Sequence, residues 1–357
     1  MENMLAGKIE SKSATTCVLG LGYVGLPLAM EMVRAGLNVI GIDLDRGKVE
    51  ALQSGESYVH DIANSVLVNA LDTGRFMVTH DVASLSRADT VSICVPTPLR
   101  KTKDPDLRYI MSAANDVAKH IRPGCLVVLE STTYPGTTEE IVGRALENRG
   151  FSIGEDVFVA FSPERVDPGN PVFHTKNTPK VIGGVTPACG RMAAALYECF
   201  VDEVVLVSSA RVAETVKLLE NTFRSVNIGL VNEMSMMCDR MGIDVWEVIA
   251  AASTKPFGFM PFYPGPGIGG HCIPLDPQYL SWKAKTFNFY NRFIELASDV
   301  NGNMPRYAVG RISEVLNTAG KALSRSKILV LGAAYKRDIN DTRESPSIEI
   351  VNLLLQS

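Results

Sequence analysis

The sequence lacks the features of disulfide-bonded, zinc-binding and nucleic-acid-binding proteins. Its seven cysteines are scattered, odd in number and contain no Cys-x-x-Cys pair, which argues against a disulfide framework and structural zinc, so we expect no metal site. The net charge is only -4 over 357 residues, without a run of like charges, so we expect no nucleic-acid partner. Anionic small molecules remain possible ligands, because local Lys and Arg can bind phosphates.

Long hydrophobic runs are also scarce. The most apolar stretch, residues 17–33, contains a Gly-x-Gly-x-x-Gly pattern and Glu31 and follows a polar leader, unlike a signal or membrane segment. We therefore expect no targeting segment and no membrane contact. The cysteine usage is typical of the reducing cytoplasm.

Short apolar runs alternate with longer amphipathic ones up to about residue 209, which predicts a parallel sheet covered by helices. Seven runs are strand candidates: TTCVLG, NVIGID, TVSICV, CLVVLE, VFVAFSP, KVIGG and EVVLVS. From about Ala210 the pattern becomes sustained helix. Its apolar residues recur at spacings of three or four: Val212, Val216, Leu219, Phe223 and Val226. A Gly/Pro-rich loop interrupts these helices, which resume near Gln278 and run to about Thr318.

The stretch VLGLGYVGLPLAMEMVRAGLNVIGIDLD carries a dinucleotide-binding pattern between a strand and a helix. Gly20 permits the tight turn, Gly22 lets a pyrophosphate approach the backbone, and Gly25 allows close helix packing. Asp43, which ends the next strand, would accept hydrogen bonds from the adenosine ribose and so favours NAD over NADP. Thr97 of ICVPTPL is a further candidate at a carboxyl strand end, although an ordinary loop threonine would fit equally.

The loop GPGIGGHCIPLDP surrounds Cys272 with glycines and prolines. A lone cysteine is usually core packing, but the flanking glycines would let a substrate approach closely, which favours a nucleophile. His271 points to the opposite face in an extended segment, so a Cys-His pair is not expected. Lys217 and Asn221 share one face of the predicted helix, as a functional polar pair or as a solvated surface.

These patterns divide the chain into three expected parts: a doubly wound, Rossmann-like NAD domain (14–209), a central helical domain with the cysteine loop (210–318), and the start of a second Rossmann-like domain (322–357). In the last part KILVLGAAY predicts a buried strand and SPSIEIVNLLLQS a helix. Because a single strand cannot satisfy its own backbone groups, we expect this domain to be truncated.

Seven motifs in order carry a family resemblance: GLGYVGLPLA, CVPTPL, ESTTYPGT, SPERVDPGN, AETVKLLENTF, GPGIGGHCIPLDP and VLGAAYKRDINDTRESPSIEI. From about residue 14 to its end the chain resembles the UDP-glucose/UDP-mannose-type nucleotide-sugar 6-dehydrogenases. The stretch PFGFMPFYPGPGIGGHCIP is most similar to the branch that oxidises UDP-N-acetylglucosamine for surface polysaccharide synthesis. Leu275, where the UDP-glucose branch has lysine, and His271 before Cys272 both fit the N-acetylhexosamine branch and disfavour UDP-glucose.

The resemblance implies a two-fold oxidation of the sugar C6 alcohol to a carboxylate, with two NAD reduced and with thiohemiacetal and thioester intermediates on Cys272. The implied catalytic residues are Cys272, Lys217, Asn221, Asp276, Glu164 and Thr132. The implied NAD contacts are Gly20, Gly22, Tyr23, Val24, Gly25, Asp43, Lys48, Thr97, Ser131 and Thr132. The implied UDP-sugar contacts are Glu164, Arg165, Lys217, Asn221, Tyr263, Gly265, Gly269, Lys336 and Arg343.

The resemblance also implies a homodimer or higher oligomer through the central helical domain. Three enzymatic alternatives remain: a UDP-N-acetylmannosamine enzyme, a UDP-glucose enzyme, and a single-hydride dehydrogenase of the 3-hydroxyacid kind. The last of these needs neither a thiol nor a second NAD. A cofactor-bound module without turnover is the non-enzymatic alternative.

Overall fold

The computed structural model describes residues 1–100, 104–167, 169–270, 272–337, 339 and 341–357, so His271 lies outside the described residues. The chain forms two compact units, Met1–Lys217 and Leu218–Ser357. In these described ranges, no helix combines the length and the apolar character that crossing a bilayer requires.

The first unit is built on a sheet of eight strands in the order β3-β2-β1-β4-β5-β6-β7-β8. The strands are β1 Thr15–Leu19, β2 Asn38–Ile42, β3 Phe76–Thr79, β4 Thr90–Ile93, β5 Leu126–Leu129, β6 Phe158–Phe161, β7 Lys180–Gly184 and β8 Val204–Val207. Seven strands match the sequence prediction. The missed strand, β3, is a four-residue edge strand with Met77 exposed, too short to give a clear pattern.

Neighbouring strands of the sheet are parallel except at one place. β6 and β7 pair antiparallel, with Ala160 opposite Gly184 and Phe161 opposite Gly183. The prediction of a wholly parallel sheet is therefore wrong for this pair. The amino end of β7 consequently lies at the same edge as the carboxyl ends of β1, β2, β4, β5 and β6.

Helices cover both faces of this sheet. They are α1 Glu2–Glu10, α2 Gly25–Arg34, α3 Arg46–Gln53, α4 Asn64–Asp72, α5 Arg108–His120, α6 Arg144–Glu147 and α7 Pro187–Glu198, with a 3-10 helix at Val82–Arg87 and a π-helix at Thr138–Gly143. Successive strand residues enter different cores: Val18 packs with Leu26 on one face and Cys17 with Val127 on the other. Burying a side chain such as Leu26 contributes about 1.5–3 kcal/mol. The α/β class with a doubly wound domain is confirmed.

The second unit is helical. α8 spans Ala210–Met241 and crosses the division between the units, and it is followed by α9 Val245–Ala252, α10 Asp276–Lys285, α11 Arg292–Thr318, a 3-10 helix at Leu323–Arg325 and α12 Pro346–Gln356. α8 and α11 approach closely, since a Cβ added to Gly229 would lie 3.2 Å from the Ala297 Cα. The helix predicted from Gln278 to Thr318 is divided between α10 and α11.

The buried strand predicted for KILVLGAAY is wrong. Residues 326–333 have no regular secondary structure, and the side chains of Leu329 and Leu331 are 82% and 85% exposed. None of the eight described strands pairs with this run. A β-branched apolar pattern forms a strand only where a neighbouring strand supplies hydrogen-bond partners.

Candidate active site

The glycines of the first βα turn have different tasks. Gly20 has a φ of +94°, and a Cβ added to Gly25 would lie 1.8 Å from the Gly20 carbonyl oxygen, so the fold itself requires both. A Cβ added to Gly22 would meet no heavy atom within 4 Å. α2 begins directly after this turn without a side-chain cap. Open space beside Gly22 and an uncapped helix N-terminus fit a bound pyrophosphate.

Asp43 fixes the same turn through both carboxylate oxygens. Oδ2 accepts a hydrogen bond from the Leu21 N–H at 2.9 Å, and Oδ1 accepts one from the Asp45 N–H at 3.0 Å. The Lys48 ammonium lies 3.9 Å from Oδ2. A carboxylate has about four acceptor positions, so Asp43 keeps capacity for ribose hydroxyls. Together with the open Gly22 position, this donor and acceptor set fits NAD.

Tyr58 completes this side of the crevice and was missed by the sequence analysis. Its hydroxyl donates to the Leu21 carbonyl oxygen at 2.6 Å, and the Lys48 ammonium lies 5.7 Å from its ring centroid. Burial and the carboxylates of Asp43 and Asp45 raise the pKa of Tyr58, so it stays a donor. The sequence gives no local signal for this contact, because Tyr58 is 37 residues from Leu21.

The remaining predicted NAD contacts also lie at the carboxyl edge of the sheet. Tyr23 is exposed and Val24 packs partly against the core, while Thr97 is buried in the segment after β4. The Ser131 hydroxyl donates to the Val95 carbonyl oxygen at 2.7 Å and so ties the loop after β5 to the loop after β4. Thr132 is half-buried in this loop.

Several hydroxyls near this edge are buried and have no hydrogen-bond partner among the described residues, including those of Thr133 and Ser162. Ser162 follows β6, the strand next to β5, and Thr133 lies in the loop after β5. Buried polar groups without a protein partner are commonly satisfied by water or ligand. The orphan hydroxyl of the ESTTYPGT loop is thus on Thr133, beside the predicted Thr132.

Glu164 is held by groups that the sequence analysis did not identify. Its Oε1 accepts the N–H groups of Arg165 and Val166, each at 2.7 Å, and its Oε2 lies 3.5 Å from the Lys180 ammonium. Burial raises the pKa of Glu164, but Lys180 and these N–H groups outweigh it and hold the pKa below the ordinary value. The Arg165 guanidinium donates to the Pro179 carbonyl oxygen at 2.6 Å.

Lys180 in turn belongs to a buried cluster. Its ammonium lies 2.7 Å from Oε2 of Glu130, and the Tyr197 hydroxyl donates to Oε1 of the same carboxylate. Lys180 and Glu130 have side chains only 4% and 0% exposed. Burial raises the pKa of Glu130 against the effect of Lys180. The only sequence signals were charged residues that end CLVVLE and begin KVIGG.

α8 presents polar residues inward, where the sequence had suggested an apolar stripe. Val212, Leu219 and Phe223 are exposed, whereas Lys217 and Asn221 are buried. The solvated-surface alternative for the last two residues is therefore wrong. Lys217 ends the first unit, where its charge also lowers the pKa of Glu164.

Cys272 is the one exposed cysteine of the chain. Cys199 is intermediate and the other five are buried. The Cys272 carbonyl accepts the N–H groups of Leu275 and Asp276 at 3.2 and 2.8 Å, so the residue stands one turn before α10. Helix N-termini and accessible positions favour the reactive thiolate.

Asp276 and Asn221 meet inside the second unit. Both are buried, and the Asn221 side-chain amide donates to Oδ2 of Asp276 at 2.5 Å. Asp276 opens α10, four residues after Cys272. The buried carboxylate thus lies at the start of the helix that Cys272 precedes.

The glycines around Cys272 have a packing reason as well. A Cβ added to Gly269 would lie 2.5 Å from the Tyr335 Cβ, and one added to Gly270 would lie 2.7 Å from the Tyr335 ring. The Gly270 N–H donates to the Arg343 carbonyl oxygen at 3.0 Å. These glycines therefore make room for the segment that precedes α12, a packing reason that the sequence analysis did not include.

Two buried asparagines hold the start of the cysteine loop. The Gly265 N–H donates to the side-chain oxygen of Asn232 at 2.9 Å, and the Asn232 amide donates to Asn301 at 2.8 Å. Tyr263 is exposed and stacks on Trp246 with ring centroids 6.1 Å apart. The loop is therefore anchored at both ends.

Lys336 and Arg337 line a cavity of about 570 Å³, together with Gly332, Tyr335 and Thr342. This basic lining fits a diphosphate. The Arg343 guanidinium, predicted to bind substrate, donates to both carboxylate oxygens of Asp341, from Nε to Oδ1 at 3.0 Å and from Nη2 to Oδ2 at 2.5 Å. Its donor fork is therefore already engaged within the chain.

Three models of one protein family match successive parts of the chain. Residues 14–201 match the NAD binding domain of the UDP-glucose/GDP-mannose dehydrogenase family, residues 211–303 its central domain, and residues 329–357 its UDP binding domain. A UDP-N-acetyl-D-mannosamine dehydrogenase of Methanococcus maripaludis is 35% identical over 345 residues, which are 96% of this chain and 77% of that protein.

Two further similarities concern amino-sugar nucleotides. An NDP-N-acetyl-D-galactosaminuronic acid dehydrogenase of Ralstonia solanacearum is 38% identical over 356 residues, covering 98% of this chain and 82% of the relative. The solved structure of a UDP-D-ManNAc dehydrogenase from Pyrococcus horikoshii superposes with a TM-score of 0.91 at 38% identity, covering 96% of this chain and 81% of that one.

Proposed function

Because the chain belongs to the UDP-glucose/GDP-mannose dehydrogenase family and is an NAD-dependent nucleotide-sugar dehydrogenase, we propose that it oxidises the C6 alcohol of a UDP-N-acetylhexosamine twice, to the uronic acid. The observation that carries the proposal is Cys272, the one exposed thiol of seven, at the start of a helix that begins with a buried aspartate. A dehydrogenase that stops at the aldehyde or ketone needs no such thiol.

In this proposal Gly22, the first turn of α2 and Asp43 hold NAD, which when bound supplies the hydride acceptor for both oxidations. Asp276, oriented by Asn221, accepts the proton of the C6 hydroxyl. The Cys272 thiolate then adds to the aldehyde carbon to form a thiohemiacetal. Oxidation of that adduct leaves a thioester.

Lys217 and Asn221 are proposed to stabilise the oxyanions that form at the sugar carbon. A well-placed donor contributes about 3–4 kcal/mol in comparable sites. Glu164, held below its ordinary pKa, is proposed to take a proton from the water that cleaves the thioester. That cleavage returns Cys272 as a thiolate and releases the carboxylate.

We propose that the substrate is UDP-N-acetyl-D-mannosamine, in preference to the UDP-N-acetylglucosamine that the sequence pattern favours. Similar proteins carry names for mannosamine and galactosaminuronic acid nucleotides. The cavity lined by Lys336 and Arg337 is proposed to take the diphosphate, with Lys336 as a cation. The C2 configuration is decided by contacts to the N-acetyl group.

The test is the NADH yield per sugar with UDP-N-acetyl-D-mannosamine, UDP-N-acetylglucosamine and UDP-glucose. Two NADH per sugar and a uronic acid product support the proposal. The Cys272→Ala variant is expected to form no uronic acid, with Cys199→Ala as a matched thiol control. One NADH per sugar, or full activity of Cys272→Ala, would show a single-hydride dehydrogenase instead.

We further propose a homodimer formed through the helices of the second unit and a location in the reducing cytoplasm. Five apolar side chains of α8 in this unit are exposed: Leu219, Phe223, Leu230, Met237 and Met241. Large exposed apolar patches mark association surfaces. Light scattering at micromolar concentration checks the dimer, and a monomeric mass would refute it. The seven thiols fit a reducing compartment.

A further inference from the structure

The buried cluster of Tyr197, Glu130, Lys180 and Glu164 is more elaborate than the fold requires. One ammonium faces two carboxylates, 2.7 Å from Glu130 and 3.5 Å from Glu164, with its side chain 4% exposed. Burying ionic groups costs free energy that an apolar set of the same volume would not cost. Such a cluster is therefore weak evidence for stability and invites a functional explanation.

The reversal of β7 brings this lysine to the site. Along the antiparallel pair, each step forward on β6 is a step back on β7. Glu164 stands three residues beyond Phe161, and Lys180 stands three residues before Gly183, the partner of Phe161. The antiparallel direction therefore carries the segment after β6 towards Lys180, and the Lys180 ammonium lies 3.5 Å from Oε2 of Glu164.

The two carboxylates of the cluster differ in their environments. Glu130 is fully buried, and desolvation raises its pKa. Glu164 is 17% exposed and receives two backbone N–H groups besides Lys180. Environments that separate two carboxylates in this way are typical of acid–base sites. The negative charge is concentrated on the carboxylate that reaches solvent.

We propose that Lys180, anchored by Glu130 and Tyr197, is a positioning residue that presents Glu164 as a rigid, ionised base to the water that cleaves the Cys272 thioester. The inference rests on the proposed function. Water oxygen bonds to the acyl carbon, Glu164 accepts the proton, and the carbon–sulfur bond breaks to release the Cys272 thiolate. The step is a hydrolysis and needs no oxidant.

Other charged or titratable groups face this cluster from the surrounding elements. Burial raises the pKa of the Cys94 thiol, which stays neutral, and Lys217 adds a second positive charge on the Glu164 side. Lys180 supplies the stronger of the two ammonium effects on Glu164. Removing its charge while keeping Lys217 therefore raises the pKa of Glu164.

The test compares Lys180→Met, which removes the charge, with Lys180→Arg, which keeps it. Glu164→Gln is the reference for a failed hydrolysis step, and Lys176→Met controls for loss of an exposed lysine near Asp202. The probe is UDP-N-acetyl-D-mannosamine with NAD. Acid quenching during turnover and mass analysis of the Cys272 peptide give the fraction of thioester at each pH.

In Lys180→Met we expect the acidic limb of the pH–rate profile to move upward by about 1 to 3 pH units, the usual effect of a nearby opposite charge on a carboxylate. Thioester should accumulate at pH 6 and disappear at pH 9. Lys180→Arg and Lys176→Met should follow the wild type. A Lys180→Met profile like the wild type, without accumulated thioester, overturns the inference.

Failure of the proposed function has a different signature. If the wild type yields one NADH per sugar, the proposed role of Cys272 is wrong. If Glu164→Gln accumulates no thioester, the proposed role of Glu164 is wrong. Both conclusions are independent of the results for the Lys180 variants. Should Lys180→Met not fold because Glu130 is left without a counter-ion, the double variant Glu130→Gln with Lys180→Met removes both charges. It should show the same upward movement, and a wild-type profile there also overturns the inference.

Discussion

Replacing Glu214 by glutamine tests how a buried carboxylate on α8 sets the pH dependence of the first unit. Glu214 accepts hydrogen bonds from the Gly136 N–H at 2.5 Å and from the N–H and hydroxyl of Thr138 at 2.9 and 2.7 Å. It thereby fastens α8 to the start of the π-helix that follows the ESTTYPGT loop. Burial outweighs these donors and raises its pKa from 4.5 to about 7.

The magnitude follows from that difference. Between pH 4.5 and 7 the folded chain keeps a proton that the unfolded chain has lost, so the free energy of unfolding falls as the pH rises. Each pH unit of this window is worth about 1.4 kcal/mol. The free energy of unfolding of the wild type, minus that of Glu214→Gln, should decrease by about 3 kcal/mol across the window and stay level above pH 7.

The assay is urea unfolding at a series of pH values, with hydrogen exchange of the β5 amides showing that the first unit is the part that unfolds. Glu139→Gln is the matched control. Glu139 lies in the same π-helix, and its carboxylate also contacts α8, 2.6 Å from the Arg211 guanidinium. A difference that grows with pH would mean that the three donors outweigh burial. A level difference would mean that Glu214 titrates alike in both states, and either result refutes the reasoning.

Two further predictions concern the NAD domain. Gly22→Ala is expected to fold normally, because its Cβ would enter open space, and to weaken NAD binding by about tenfold or more in calorimetric titration, because that space is the proposed pyrophosphate position. Gly25→Ala should instead lower the melting temperature, because its Cβ would meet the Gly20 carbonyl oxygen. Equal behaviour of the two variants would contradict these separate roles. Thr133→Val should lower the turnover number in steady-state NADH assays by roughly 2- to 10-fold, the effect of losing one hydrogen bond, and Thr132→Val should lower it less. A larger effect of Thr132→Val would instead identify Thr132 as the functional threonine.

The first βα turn could be predicted in detail because its chemistry is local. The turn, the helix start and the acidic residue at the end of β2 lie within 24 residues. Each glycine is needed either to avoid a steric clash or to leave room for a phosphate. Cys272 is exposed, as a nucleophile would need to be. Its place before α10 is also local, because the Asp276 N–H donates to the Cys272 carbonyl oxygen four residues earlier.

The reason for the glycines beside Cys272 could not be predicted, because it depends on Tyr335, more than sixty residues away. The prediction of which residues of α8 are buried failed for a related reason. The apolar residues of this helix have a regular helical period, yet Glu214, Lys217 and Asn221 are buried along with Ala213 and Leu218, while Leu219 and Phe223 are exposed. Periodicity assigns the apolar face inward by default, whereas Glu214 and Asn221 instead have hydrogen-bond partners inside the fold.

The orientation of β7 is the step on which the site depends most. A wholly parallel sheet, as the alternating pattern predicts, would set the amino end of β7 at the edge opposite the carboxyl ends of β5 and β6. Lys180 would then lie far from Glu130 and Glu164, as an unpaired ammonium at a buried strand end. Reversing this one strand satisfies the lysine and brings its charge to the site edge, which no local sequence signal specifies. Antiparallel pairing of β6 and β7 is therefore expected wherever related chains carry this lysine and both glutamates.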